Sequence, residues 1–147
     1  MRTPINEMRL TIESRSINEA FSRVAVSAFA AQLDPTVEEI SDIKTAVSEA
    51  VTNCIVHAYE NTSGRIYITA KIFEGGQIVV KIRDRGCGIP DIKQAMTPLY
   101  TSKGGERSGL GFSVMESFMD KVTVYSNLGR GTTVTLLKQI NGRYSDD

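Results

Sequence analysis

Glu49 and Asn53 stand one helical turn apart in Ser48-Glu-Ala-Val-Thr-Asn53. At about 100° per residue a helix sets them about 40° from each other and about 6 Å along its axis. They share a face, and taken alone such a pair can equally be two surface residues of a helix. Val56 falls about 20° from Glu49 on the same wheel, so this polar face is expected to lie under a ligand or a lid rather than in open water. Asp84, in Asp84-Arg-Gly-Cys-Gly88, is the second candidate. Alternation from Ile78 through Val80 and Ile82 turns its carboxylate toward the core side of a strand, where it needs a donor. An adenine amino group is such a donor and brings no charge; the alternative is an Asp that caps the glycine-rich bend of Gly86 and Gly88. Thr132 shares a face with Val134 and Leu136, and its hydroxyl can complete the same polar pocket.

Arg107-Ser-Gly-Leu-Gly111 is the third candidate. Glycines at the start of a helix expose free N–H groups and the positive end of its dipole, which suits a phosphate, and Lys103 and Arg107 can add charge-assisted bonds. The alternative is a plain flexible connection. The single histidine, His57, and Cys87 in the glycine bend read more simply as a packed histidine and a bystander thiol.

The elements that must position these residues follow from periodicity. Met8 to Glu13 alternates weakly and suits an edge strand. Ser16 is expected to cap a helix with apolar positions Ala20, Phe21, Val24, Ala28 and Leu33, stopped by Asp34 and Pro35. Thr36 and Glu39 have capping-box spacing, and Ile40, Ile43, Val47, Ala50, Val51, Cys54 and Ala58 continue a second helix to about Tyr59. Beyond Gly64 the period becomes two, with Ile66, Ile68, Ala70 and Ile72 on one face. Glu74, Gly75 and Gly76 then turn the chain into a return strand ending at Asp84. Pro90 and Asp91 suggest a short helical turn, and 97–108 a polar loop. A helix from about Gly109 is expected to carry Val114, Met115, Phe118 and Met119 inward. Lys121 to Ser126 and Thr132 to Lys138 form a final strand pair, and 141–147 a frayed tail. The expected fold class is α+β: a two-layer sandwich whose mainly antiparallel sheet is covered on one face by helices.

Composition excludes several functions. The chain has 147 residues, 41% hydrophobic, and 17 Lys+Arg against 17 Asp+Glu, which suits one soluble domain over residues 1–147. Without a basic run there is no electrostatic footprint of direct nucleic-acid binding. Val24 to Leu33 is too short to span a bilayer and lacks a signal-peptide flank, so no membrane association is expected. Cys54 and Cys87 form no CxxC pair, which argues for a reducing cytoplasm rather than a disulfide or zinc framework. No GxxxxGK[ST] loop occurs, Gly109-Leu-Gly111 lacks the third glycine of a dinucleotide fingerprint, and no G-x-S-x-G elbow is present.

Together the segments resemble four boxes of the Bergerat (GHKL) ATP-binding fold shared by gyrase-type topoisomerases, Hsp90, MutL and histidine kinases. These are Glu49 to Asn53, Asp84 to Gly88, Arg107 to Gly111, and Gly131-Thr132. Asn18 to Arg23, Gln32 to Thr36, Pro98 to Thr101 and Glu106 to Gly109 further resemble the sigma-F type of anti-sigma serine kinase of spore-forming bacteria. That resemblance implies that ATP or ADP binds with Mg²⁺ held by Asn53. It implies that Asp84 and Thr132 take the adenine, and that Gly86, Gly88, Thr101, Ser108, Gly109, Leu110 and Gly111 complete the nucleotide site. It also implies that Glu49 accepts the proton of a substrate serine and that Arg107 steadies the γ-phosphate. Arg23 corresponds to a position used for partner docking. The implied partners are a sigma factor and an anti-anti-sigma protein phosphorylated on serine, held by a homodimer. Two rivals share the fold: a histidine-kinase catalytic domain, which no preceding phosphoacceptor helix supports, and a nucleotide-gated binding module without transfer.

Overall fold

The computed structural model describes residues 2–59, 62–90, 92 and 111–142. Five strands, β1 (Asn6–Glu13), β2 (Arg65–Phe73), β3 (Gln77–Arg83), β4 (Lys121–Asn127) and β5 (Gly131–Gln139), form one sheet in the order β1-β2-β3-β5-β4. Every pairing is antiparallel. Three helices, α1 (Ile17–Ala30), α2 (Val37–Asn53) and α3 (Phe112–Phe118), cover one side. This is the α+β sandwich expected from the periodicity.

The alternation of β2 and β3 drives the assembly. Ile66, Ile68, Ala70, Ile72, Ile78, Val80 and Ile82 are all buried, and the register opposes Ile68 to Ile82 and Ala70 to Val80 across the hairpin. Burying each such isoleucine or valine contributes about 1.5 to 3 kcal/mol, more than enough to set which face turns inward. From the helical layer Ile43, Ala46, Val47, Ala50 and Val51 of α2 meet this face.

The start of α2 is fixed by a capping box: Glu39 N–H donates to Thr36 Oγ1 at 3.0 Å and Thr36 N–H donates to Glu39 Oε1 at 2.9 Å. The same Glu39 carboxylate accepts from the backbone of Asn141 and Gly142, tying the end of the chain to this cap. Asp34, at φ 49°, ends the turn that follows α1, a conformation an Asp tolerates better than most residues. Beyond Asn53 the helix widens into a π turn over Cys54–Ala58.

Three local expectations are corrected. Ser16 adopts a helical conformation itself and makes no side-chain cap. The apolar positions Ala20, Phe21, Val24 and Ala28 face outward, with Phe21 52% and Val24 56% exposed. The buried face of α1 is instead Ser22, Val26, Ser27 and Ala30. Phe118, placed inward by its spacing, is exposed at the end of α3, while Met115 and Met119 are buried. The short turn at Pro90-Asp91, the loop over 97–108 and most of the tail lie outside the described residues. Among the described residues no helix is long and apolar enough to cross a membrane.

Candidate functional site

Asp84 follows the last residue of β3 and continues its inward alternation. It is buried, and its partners are specific: Oδ1 accepts the Gly86 N–H at 2.9 Å and the Thr132 N–H at 3.2 Å, while Oδ2 accepts the Cys54 thiol at 3.5 Å. The Asp84 N–H in turn donates to the Thr132 carbonyl at 2.9 Å. Burial raises the pKa of Asp84, and the Gly86, Cys54 and Thr132 donors offset this only in part. Burial, and next the adjacent carboxylate, push the Cys54 thiol well up, so it stays a protonated donor to Oδ2. Two backbone donors occupy Oδ1 and one weak donor reaches Oδ2, which leaves Oδ2 the oxygen with acceptor capacity for an incoming N–H.

Thr132 lies beside it at the start of β5, buried, its hydroxyl 2.8 Å from that of Ser126 on β4. The bend that carries Gly86 and Gly88 is clamped on both sides. The Arg85 N–H donates to the Tyr59 hydroxyl, which donates to the Arg65 carbonyl, both at 2.7 Å. The Cys87 N–H bonds the Ala58 carbonyl, the N–H of Gly129 in the β4–β5 turn donates to the Cys87 carbonyl, and the Ile89 N–H donates to the Ser126 hydroxyl of β4. A side chain at residue 86 would strike the Ala58 carbonyl, and one at residue 88 would strike that of Asn127. The close approach these two glycines allow is thus to the protein's own backbone. The widened turn Cys54–Ala58 brings Ala58 and Tyr59 to the bend, a role for the end of α2 that its apolar spacing does not disclose.

Glu49 and Asn53, both half-buried, occupy the last turns of α2, and Gly111 lies against Glu49. Gly111 has φ +67°, a conformation that favours glycine, and a Cβ there would displace the Glu49 carboxylate. Gly111 immediately precedes α3, which packs on α2. The structure therefore brings Glu49 to the start of α3 and, separately, Asp84 to Thr132 and Cys54. His57 is half-buried beside the bend, its carbonyl accepting the Cys87 thiol at 3.4 Å, and both cysteines are free. Arg107, Thr101, Ser108, Gly109, Leu110 and Lys103 lie outside the described residues. Arg23, half-buried on α1, pairs with Glu19 at 2.9 Å and stands apart from the Asp84 pocket.

The donor set also bears on Mg²⁺. No group of three His, Cys, Asp or Glu side chains that could cage a metal occurs among the described residues. Mg²⁺ characteristically keeps its waters and binds through one or two protein oxygens plus substrate phosphates, so a single amide oxygen beside a carboxylate fits that ion.

Residues 13–138 match the family model described as Histidine kinase-like ATPase domain. A protein of Geobacillus kaustophilus named anti-sigma F factor is 54% identical over 136 residues, covering 92% of this chain and 93% of its own. A protein of the same name from Clostridium beijerinckii is 56% identical over 138 residues, covering 92% and 96%. Among solved structures, the RsbU and RsbW domains of a Mycobacterium tuberculosis protein superpose with a TM-score of 0.68 at 21% identity, over 95% of this chain and 34% of that one. The histidine kinase domain of an Erythrobacter litoralis blue-light-activated kinase gives 0.56 at 19% identity, over 84% and 61%. The last two are likenesses of fold. By the extent of the family match and the identity to these relatives, the chain belongs to the histidine kinase-like (GHKL) ATPase domain family, in the branch whose members are named anti-sigma F factor.

Proposed function

We propose that residues 1–147 work as one ATP-dependent serine protein kinase domain that also holds a sigma factor, acting in the cytoplasm. The observation that carries the nucleotide half is Asp84: a buried carboxylate with one oxygen saturated by backbone donors and the other retaining acceptor capacity. An ionised acceptor there selects an exocyclic amino group, and Thr132 supports the same pocket. Relatives named anti-sigma F factor support a sigma factor as the partner.

In this reading the adenine of ATP or ADP bonds Asp84 and Thr132, the phosphates run toward Gly111 at the start of α3, and Thr101, Ser108, Gly109 and Leu110 contribute to nucleotide binding. The Asn53 amide oxygen would hold Mg²⁺, which when bound would supply charge neutralisation for the transferring group. Glu49 accepts the proton of a serine hydroxyl on an anti-anti-sigma protein. The serine oxygen forms a bond to the γ-phosphorus, the bond from that phosphorus to the β,γ-bridging oxygen breaks, and ADP leaves with that oxygen. Arg107 steadies the γ-phosphate. Arg23 docks the partner proteins. We assign the homodimer to the outward stripe of α1, Ile17, Phe21, Val24 and Ala28, together with the free edge of β1, because these apolar side chains are exposed at helical spacing and β1 is paired on one side alone.

The test is incubation of the chain with labelled ATP, Mg²⁺ and a candidate anti-anti-sigma protein. Phosphoserine on that protein is the expected product. Nucleotide binding and sigma-factor capture without any transfer would replace the kinase by the binding-module reading.

A further inference from the structure

The charge of this chain balances in total but not in space. β2, β3, β4 and β5 contain no Asp or Glu, and the face of the sheet turned away from the helices bears Lys71, Lys81, Arg83 and Lys121. Arg85 and Arg130 join it from the adjoining turns. The carboxylates nearest in the sheet are on β1, where Glu7 stands opposite Lys71 and pairs with Arg9, and Glu13 pairs with Arg65, so the part of the face with no carboxylate opposite is that of Lys81, Arg83 and Lys121. Lys81 faces only Thr69 and Thr135 across the ladder, and Arg83 faces Tyr67 and Thr133. A solvated face needs charge for solubility, but like charges of one sign on neighbouring strands repel and gain nothing from one another.

This face is also shaped. At the end where β3, β5 and β4 meet, Arg83, Tyr125, Asn127, Arg130 and Thr133 line a hollow of about 260 Å³, which Asp84, Gly131 and Thr132 also border. Arg83 and Arg85 lie over the Tyr67 ring, 5.7 and 5.0 Å from its centre, which holds their forks in place before any ligand arrives.

We propose that the outer face of β2, β3, β5 and β4 is a docking surface for an acidic segment of a protein partner, with carboxylates seated at Arg83 and Arg130. Planar guanidinium forks and hydroxyl donors match carboxylates bidentately, and an uncompensated basic face steers an acidic partner toward it. A nucleic-acid strand is the poorer match, because stacking successive bases needs a track of open rings: Tyr67 is covered by two arginines, which leaves the exposed Tyr125 at one end of the face. The proposed contact adjoins the nucleotide site, since Asp84 and Thr132 border the same hollow, and the test is therefore made with ADP bound.

The experiment titrates the full chain, with ADP present, into a fluorescent oligoglutamate peptide and into a single-stranded oligonucleotide of matched charge, reading anisotropy at low and moderate salt. Each variant is checked by thermal melting. Oligoglutamate should bind, more weakly as salt rises, and Lys81→Glu with Arg130→Glu should loosen it about tenfold or more. Reversing two bases elsewhere, Arg15→Glu with Lys44→Glu, should change it far less. Absence of peptide binding at low salt, equal loosening by the Arg15 and Lys44 reversals, or tighter binding of the oligonucleotide through Lys81 and Arg130 would each overturn the proposal.

Discussion

Ser48 Oγ donates to Glu19 Oε2 at 2.8 Å, and the same oxygen accepts Arg23 Nε at 2.9 Å. One carboxylate of α1 thus joins the proposed docking arginine to the residue that precedes Glu49 on α2. Arg23→Glu should abolish this bridge, place like charges one turn apart on α1, and remove partner binding, while ADP affinity stays near that of the wild type. A pull-down with sigma factor and anti-anti-sigma protein, paired with calorimetry of ADP, checks both halves. Undiminished capture would move the contact surface away from Arg23.

Asp84→Asn separates stability from binding. Burial holds the Asp84 pKa above the ordinary aspartate value in the folded state. A raised folded pKa favours the fold while the group is protonated, and that contribution is lost as pH rises through the folded value. At neutral pH the ionised form therefore works against stability, and the neutral amide should melt no lower than the wild type. ADP and ATP should both bind about 10- to 150-fold more weakly, the equivalent of roughly 1.5 to 3 kcal/mol for a charge-assisted bond. Unchanged ADP affinity would reject Asp84 as the adenine anchor.

Gly111→Ala should impair phosphoryl transfer through Glu49. The new methyl group would meet the Glu49 carboxylate, and φ +67° costs an alanine about 1 to 2 kcal/mol. A lowered melting temperature with phosphoserine formation slowed beyond any loss of nucleotide affinity is the expected pattern. Normal transfer would show that Glu49 need not hold its present position.

Glu39 gives the fold an acid-sensitive clasp. Burial works against its charge, but the Thr36, Asn141 and Gly142 N–H groups and the Thr36 hydroxyl hold its pKa below the ordinary glutamate value. The stabilisation is complete above the unfolded pKa and declines as pH falls through the folded one. Glu39→Gln should therefore lower the melting temperature at neutral pH and shrink its fall on acidification. Thr36→Ala should cost about 1 kcal/mol at neutral pH, and less once Glu39 is protonated.

The strands and the Asp84 pocket were legible in sequence because alternation over β2 and β3 is nearly perfect and Asp84 extends it by one step. The orientation of α1 was not. Its buried face contains Ser22 and Ser27, whose hydroxyls donate to the Glu19 and Arg23 carbonyls, so two polar residues pack at little cost. The outward stripe of Ile17, Phe21 and Val24 meanwhile has the spacing of a core face. Lys138 escaped notice for a related reason. It sits on the inner face of β5, bonded to Asp42 at 3.2 Å and to the Phe118 carbonyl at 2.8 Å, ties that only the packed helices reveal. The clamping of Gly86 and Gly88 against Ala58 and Asn127 depends on contacts across the sheet, which no local spacing encodes.

The most direct measurement compares Glu49→Ala and Asn53→Ala for Mg²⁺-dependent nucleotide affinity and for phosphoserine formation on the same protein substrate. A cation ligand and a proton acceptor on one helical face fail differently when removed. Asn53→Ala should lose Mg²⁺-dependent nucleotide binding and with it both transfer and the nucleotide-dependent hold on the sigma factor. Glu49→Ala should retain both binding events and lose transfer by about 10²- to 10⁴-fold. Transfer at the wild-type rate by Glu49→Ala would contradict the account.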